Sequence, residues 1–240
     1  IVIQATAVAT FSYAGTPYCS NDNDPSPAYS GGGVAGAFTT TGAAGALSIN
    51  AGTGAVDISA STAGTYTVTN TIAASGACAQ VVETSSITIT TLPVGTFSYA
   101  SSPFCSTAND PSPAFSGGGV AGTFTSTNGL VFVNAGTGVV DISASTAGTY
   151  TVTNTIAASG ACAQVVETSS ITITTLPVGT FSYASSPFCS TANDPSPAFS
   201  GGGVAGTFTS TNGLVFVNAG TGVVDISAST AGTYTVTNTI

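Results

Sequence analysis

Residues 129–174 read GLVFVNAGTGVVDISASTAGTYTVTNTIAASGACAQVVETSSITIT, and their periodicity decides the fold. Within them Thr149-Tyr150-Thr151-Val152-Thr153-Asn154-Thr155-Ile156 alternates with period two, the spacing of a half-buried strand. Such a strand buries Tyr150, Val152 and Ile156 and shows a row of threonines to solvent. Upstream, Val131-Phe132-Val133 and Val139-Val140-Asp141-Ile142 flank Asn134-Ala135-Gly136-Thr137-Gly138, a hairpin-like connection.

Working outward, the same words return. Phe97-Ser98-Tyr99-Ala100 recurs as Phe181-Ser182-Tyr183-Ala184, 84 residues on, and Asp57, Asp141 and Asp225 keep that spacing. Fixed-period similarity marks a repeat array. The first copy is two residues longer, and the change sits between Gly33 and Asp57, read as a loop and its flanking strand. The division is 1–8 as the final strand of a preceding repeat, 9–92 and 93–176 as full repeats, and 177–240 as a repeat cut before its last strand. Ile1-Val2-Ile3 matches Ile87-Thr88-Ile89, and Ile240 matches Ile156. Two readings of these ends stay open. The sequence is an internal piece of a longer array, which the absence of Met favours, or its first strand completes a neighbour's cut repeat by strand donation.

Each repeat reads as seven short strands separated by turn signals, an all-β Ig-like sandwich. In the middle repeat they are 96–100, 113–116, 122–126, 130–134, 139–143, 149–158 and 163–174. Pro111 and Pro113 consign Ser101–Pro113 to loop or edge. Gly117-Gly118-Gly119 is a turn rather than a phosphate loop, since neither Lys nor a helix follows.

Composition excludes several functions. Charged residues are 4%, and Lys, Arg and His are absent, leaving a net charge of −9. Nothing can neutralise nucleic-acid phosphates or an anionic membrane. The usual general base is missing, so the many Ser and Thr hydroxyls have nothing to activate them and no enzyme is expected. Without Lys there is no Lys–Asn isopeptide staple, and no side-chain ion pair can form. No apolar run reaches the roughly 18 residues of a membrane span.

With its Pro-Phe-Cys and Gly-Ala-Cys elements, the ordered pattern of a Leu-led strand, a Thr-Gly hairpin and Ala-Gly-Thr-Tyr-Thr-Val-Thr before a last hairpin resembles tandem Ig-like, cadherin-like repeats. Specifically, it is similar to those of giant surface adhesins and filament proteins of gliding Bacteroidota. The resemblance covers all the repeats. It implies type IX secretion, an extracellular place on the cell surface, and a structural or adhesive role. The acidic calcium motifs of true cadherins are missing.

Five cysteines, Cys19, Cys78, Cys105, Cys162 and Cys189, fall two to a full repeat. Parity within repeats gives Cys19–Cys78 and Cys105–Cys162, with the partner of Cys189 outside the sequence. Cys105 follows the first strand and Cys162 sits in the last hairpin, positions at opposite ends of a sandwich. A staggered link Cys19–Cys162, locking successive domains in line, is therefore the alternative. Absent His and CxxC pairs argue against zinc.

The acids give weaker signals. Asn21-Asp22-Asn23-Asp24 alternates oxygen ligands, so Asp22 and Asp24 are calcium candidates. Later copies erode to Thr107-Ala108-Asn109-Asp110, and an Asx turn before Pro explains them better. Asp57, Asp141 and Asp225, with Glu83 and Glu167, read as solvated. Threonine rows are ordinary β-surface before they are an ice-binding plane. Phe104 and Phe188 are candidates for packing at joints. The expected function is a fibre, stalk or surface filament, each repeat adding roughly 40 Å given strands of roughly 33 Å. Its partners are then neighbouring repeats and identical chains. The alternatives are an adhesin whose repeats bind glycan or a cell-surface partner, and a calcium-dependent extender.

Overall fold

Alternating Thr/apolar runs, punctuated by Gly, Asn and Pro, make strands and turns and no helix anywhere among the described residues, which in this computed structural model are 1 and 3–240. No helix is therefore long and apolar enough to cross a membrane. Contacts divide the chain into two units: residues 1–103 with 109–172, and residues 104–108 with 173–240.

In the first unit, eight strands follow Ala9: β1 (Phe11–Ser12), β2 (Tyr18–Cys19), β3 (Ala28–Tyr29), β4 (Ala37–Gly42), β5 (Ser48–Ile49), β6 (Val56–Asp57), β7 (Gly64–Ile72) and β8 (Val81–Thr90). A four-stranded sheet runs in the order β2-β8-β7-β4, and short ladders β1-β3 and β5-β6 supply the other walls. Phe11, Phe38, Val56, Tyr66, Val68, Ile87 and Ile89 interdigitate in one buried cluster. Phe11 meets Phe38 edge-on at 5.5 Å, the arrangement aromatic quadrupoles favour.

The pattern recurs in β9 (Phe97–Ser98), β10 (Phe104–Cys105), β11 (Ala114–Phe115), β12 (Thr123–Ser126), β13 (Phe132–Asn134), β14 (Val139–Val140), β15 (Gly148–Ile156) and β16 (Val165–Thr174). Tyr150 and Val152 are buried as the alternation predicts. Ile156 is only half-buried, and Asn154 is completely buried in the same phase.

The strand count departs from seven. The extra element is the two-residue β2, repeated as β10 in the segment expected to be loop or edge. Each lies parallel to the end of the last strand, Cys19 opposite Thr90 and Cys105 opposite Thr174. The two-residue insertion of the first copy also lands in a strand. β4 pairs with β7 over six positions, where β12 pairs with β15 over four. Residues 3–10 form no strand, and Val2 of the proposed leading strand lies outside the described residues.

Two tyrosines per repeat tie loops to the sheets. Tyr66 Oη donates to the Thr62 carbonyl at 2.9 Å, and Tyr150 to Thr146 at 2.6 Å, the corner bond familiar from Ig-like sandwiches. Tyr13 donates to Gly54 and Tyr99 to Gly138, at 2.6 and 2.5 Å. Burial pushes both phenols up, which keeps the donating proton in place.

The second unit holds β17 (Phe181–Ser182), β18 (Ala198–Phe199), β19 (Thr207–Ser210), β20 (Val215–Asn218), β21 (Val223–Asp225) and β22 (Val236–Thr239). β17 pairs with β18, β19 with β22, and β20 with β21, as in the other copies.

Candidate functional site

The chemistry-bearing residues that converge are cysteines. Cys19 ends β2, held against the end of β8 by the Thr90 hydroxyl, which donates to the Tyr18 carbonyl at 3.0 Å. The Ser20 amide donates to the Thr90 carbonyl at 2.8 Å, and the Leu92 amide to the Ser20 hydroxyl at 3.0 Å. Cys162 closes the tight turn Ser159-Gly160-Ala161-Cys162, whose end residues exchange backbone hydrogen bonds at 3.0 and 3.1 Å. Gly160 sits at φ +60° and comes so near Thr90 that an added Cβ would lie 3.0 Å from the threonine methyl. A left-handed turn and a close approach thus coincide at one glycine.

At this meeting point Cys19 and Cys162, 143 residues apart in sequence, are joined by a disulfide with Cα atoms 4.8 Å apart. The bond links β2 of the first copy to the β15–β16 turn of the second. This corrects the within-repeat pairings Cys19–Cys78 and Cys105–Cys162, neither of which forms. The reason is strand length. Cys19 lies opposite Thr90, at the far end of a ten-residue strand, whereas Cys78 lies in the turn before its start. At about 3.4 Å per residue that strand separates them by roughly 30 Å, far beyond the roughly 7 Å a disulfide spans. β16 separates Cys105 from Cys162 in the same register.

Cys78, Cys105 and Cys189 are thiols. Hydrogen bonds from the Thr107 and Thr191 hydroxyls, at 3.3 Å, are the main cause holding the Cys105 and Cys189 thiols below their ordinary range.

The acidic candidates serve the backbone. Asp22 accepts from the Cys19 amide at 2.7 Å, fixing the turn that carries the cysteine. Asp24 accepts from the Ile58 amide at 2.9 Å, and Asp110 and Asp194 repeat this with Ile142 and Ile226. No cluster of three or more metal-ligating side chains occurs among the described residues. Asp57, Asp141 and Asp225 each cap a turn. Asp57 Oδ1 accepts from the Ser59 hydroxyl at 2.8 Å and from the Ala60 amide at 2.9 Å.

These hydrogen bonds lower all three carboxyls below the ordinary aspartate value. A depressed folded-state value adds stability that is complete above the unfolded value, about 3.9, and is lost as pH falls through the lowered one. With no His to titrate, the unfolding midpoint should stay level from pH 7 to about 5 and drop below about pH 4. Urea melts of the chain and of the triple Asp57→Asn, Asp141→Asn, Asp225→Asn variant check this. The acid limb should be shallower in the variant.

Sequence reasoning missed Asn70 and Asn154, which hold the upper ends of their sandwiches. Asn154 Oδ1 accepts from the Gly122 amide at 2.8 Å, and its Nδ2 donates to the Gly95 and Val120 carbonyls, both at 3.0 Å. Asn70 makes the equivalent three bonds to Gly36, Ala9 and Val34. The signal was present: an Asn in the apolar phase of an alternating strand, repeated at Asn238.

No family model matches the chain. No curated protein matches it either. Among solved structures it is similar to human CDH23 EC21-23, at 10% identity and TM-score 0.42, over 90% of this chain and 87% of that one. Drosophila N-cadherin EC1-4 aligns at 11% identity and TM-score 0.34, over 70% of this chain and 50% of that one. A SusE-like surface-located polysaccharide-binding protein of Bacteroides thetaiotaomicron aligns at 16% identity and TM-score 0.26, over 85% of this chain and 41% of that one. The chain thus spans half or less of the length of these last two. At such TM-scores the fold rests on the strands and registers described above.

Proposed function

We propose that the chain is a structural, extracellular repeat protein whose successive β-sandwiches are held in line to build a fibre, stalk or surface filament on a cell. The observation that carries this is the Cys19–Cys162 bridge. A bond within a repeat stabilises that repeat, whereas one between consecutive repeats restricts how they move against each other. Disulfides persist in oxidising compartments, which fits a secreted protein. Stability in such an array is nearly additive along the chain, and neighbouring repeats and identical chains are the partners.

Small-angle scattering of the full chain tests the reading. With the bridge intact, the interatomic distance distribution should end sharply. Selective reduction of Cys19–Cys162 should broaden it and shift its tail. An unchanged distribution, or saturable binding of the chain to one glycan across an array of glycans, would overturn the structural role.

A further inference from the structure

Asparagine is followed by glycine twice, at Asn128-Gly129 and Asn212-Gly213. Each pair forms the turn that leaves β12 or β19, and both asparagines are exposed. Packing around the corner tyrosine dictates the glycine. Gly129 sits at φ +105°, and an added Cβ would lie 2.8 Å from the Thr146 hydroxyl oxygen and 2.9 Å from that of Tyr150. Gly213 sits at φ +108°, with the Thr230 and Tyr234 hydroxyls at 2.7 and 2.8 Å. Only glycine tolerates both that backbone and that approach. The asparagine is not dictated. The first copy keeps the glycine as Gly45, facing Thr62, and carries Ala44 where the later copies have asparagine.

That glycine leaves its nitrogen free to attack the neighbouring carboxamide. The Thr146 amide donates to the Gly129 carbonyl at 2.9 Å, but the Gly129 amide donates to nothing among the described residues. Gly213 repeats this arrangement, its carbonyl taken by the Thr230 amide at 2.9 Å. No side chain on either glycine shields the nitrogen. The chain's other asparagines lack this combination. Asn50, Asn134 and Asn218 precede alanine, and each Oδ1 already accepts the amide two residues on, at 3.0, 2.7 and 2.7 Å. Asn70, Asn154 and Asn238 precede threonine, and each makes three hydrogen bonds. Asn21, Asn23, Asn109 and Asn193 precede aspartate, whose carboxylate repels an amide anion beside it.

We propose that Asn128 and Asn212 are sites of self-modification, converting in the folded chain to isoaspartate and aspartate with water as the co-reactant. Hydroxide takes the proton of the Gly129 amide. The nitrogen attacks Asn128 Cγ, a C–N bond forms, and the side-chain nitrogen leaves as ammonia, taking a proton back from water. Water then opens the cyclic imide. Breaking the bond from the glycine nitrogen to Cγ gives aspartate; breaking its bond to the main-chain carbonyl carbon gives isoaspartate, whose backbone runs through the side chain. The water oxygen stays on the new carboxylate, and nothing is oxidised or reduced. The chain has no lysine to intercept the ring. Each event adds one negative charge to a chain of net charge −9. Isoaspartate also lengthens the backbone between two pinned points, the Thr127 amide on the Thr151 carbonyl at 3.3 Å and the Thr146 amide on the Gly129 carbonyl. This chemistry holds whether or not the repeats build a filament.

The folded full chain, held at neutral and at mildly alkaline pH, is followed by anion exchange, by ammonia release and by peptic mapping with mass spectrometry. Asn128 and Asn212 should convert about tenfold or more faster than any other asparagine, since the others must first break hydrogen bonds or form an anion beside a carboxylate. The rate should rise with hydroxide, and both acids should appear. Hydroxylamine, which opens the imide, should cut the native chain after 128 and 212. Asn128→Ala together with Asn212→Ala, which copies the Ala44 turn of the first copy, should stop the fast ammonia release. Retention of both amides in the folded chain while the urea-unfolded chain converts would show that the turn protects the pair, and overturns the proposal. So does conversion to aspartate alone, which is direct hydrolysis, or a rate at Asn134 equal to that at Asn128.

Discussion

Replacing Cys162 by serine should remove about 5 kcal/mol of stability and split the shared denaturation transition of the first two copies into two. The magnitude follows from the loop the bond closes. Its cysteines are 143 residues apart, and the chain-entropy cost of closing a loop that long is about 5 kcal/mol at 25 °C. The split follows from where the bond lies. It ties the first copy's β2 to the second copy's last turn, so neither copy can unfold without pulling on the other. Once the bond is gone, each sandwich rests on its own core, and the first, with a six-position β4–β7 ladder against four in the second, should melt later. Guanidinium titrations followed by tyrosine fluorescence read both effects. Cys105→Ser, which touches no bridge, is the control and should match the parent. A Cys162→Ser curve superimposable on the parent's would mean the bridge contributes nothing to coupling.

The architecture was legible because strand patterning is local. Thr149–Ile156 announces its buried face through Tyr150 and Val152, and the repeat copies that message along the chain. What was not legible depends on partners distant in sequence. Phe104-Cys105 has no alternation and follows Pro103; it is a strand only because Ile173 and Thr174 lie alongside it. The cysteine pairing shows the same limit. Counting cysteines within a repeat points to Cys19–Cys78, while the length of the last hairpin puts them at opposite ends. Strand geometry outweighs parity because a disulfide tolerates almost no stretch. Asp22 and Asp24 resemble ligands in sequence, and in the structure one oxygen of each accepts an amide, at Cys19 and Ile58.

Asn154 was passed over for a related reason: a polar residue at a core position looks like a break in the pattern, yet here it closes the sandwich. Asn154→Ala should cost about 3–5 kcal/mol, since it removes the side-chain partner of one amide and two carbonyls, one of those bonds buried and two part-buried, each worth about 1–3 kcal/mol. Asn154→Asp should fare little better, because a carboxylate cannot donate to the Gly95 and Val120 carbonyls. The third copy supplies an internal comparison. Asn238 keeps its bonds to Gly206 and Val204, but its contact with the Gly179 carbonyl lengthens to 3.4 Å and its side chain is half-exposed. Water can replace what Asn238→Ala removes, so that variant should lose less than half as much. Equal losses at the two positions would show that the cost comes from the strand's own preference for Asn rather than from sealing the polar groups away from water.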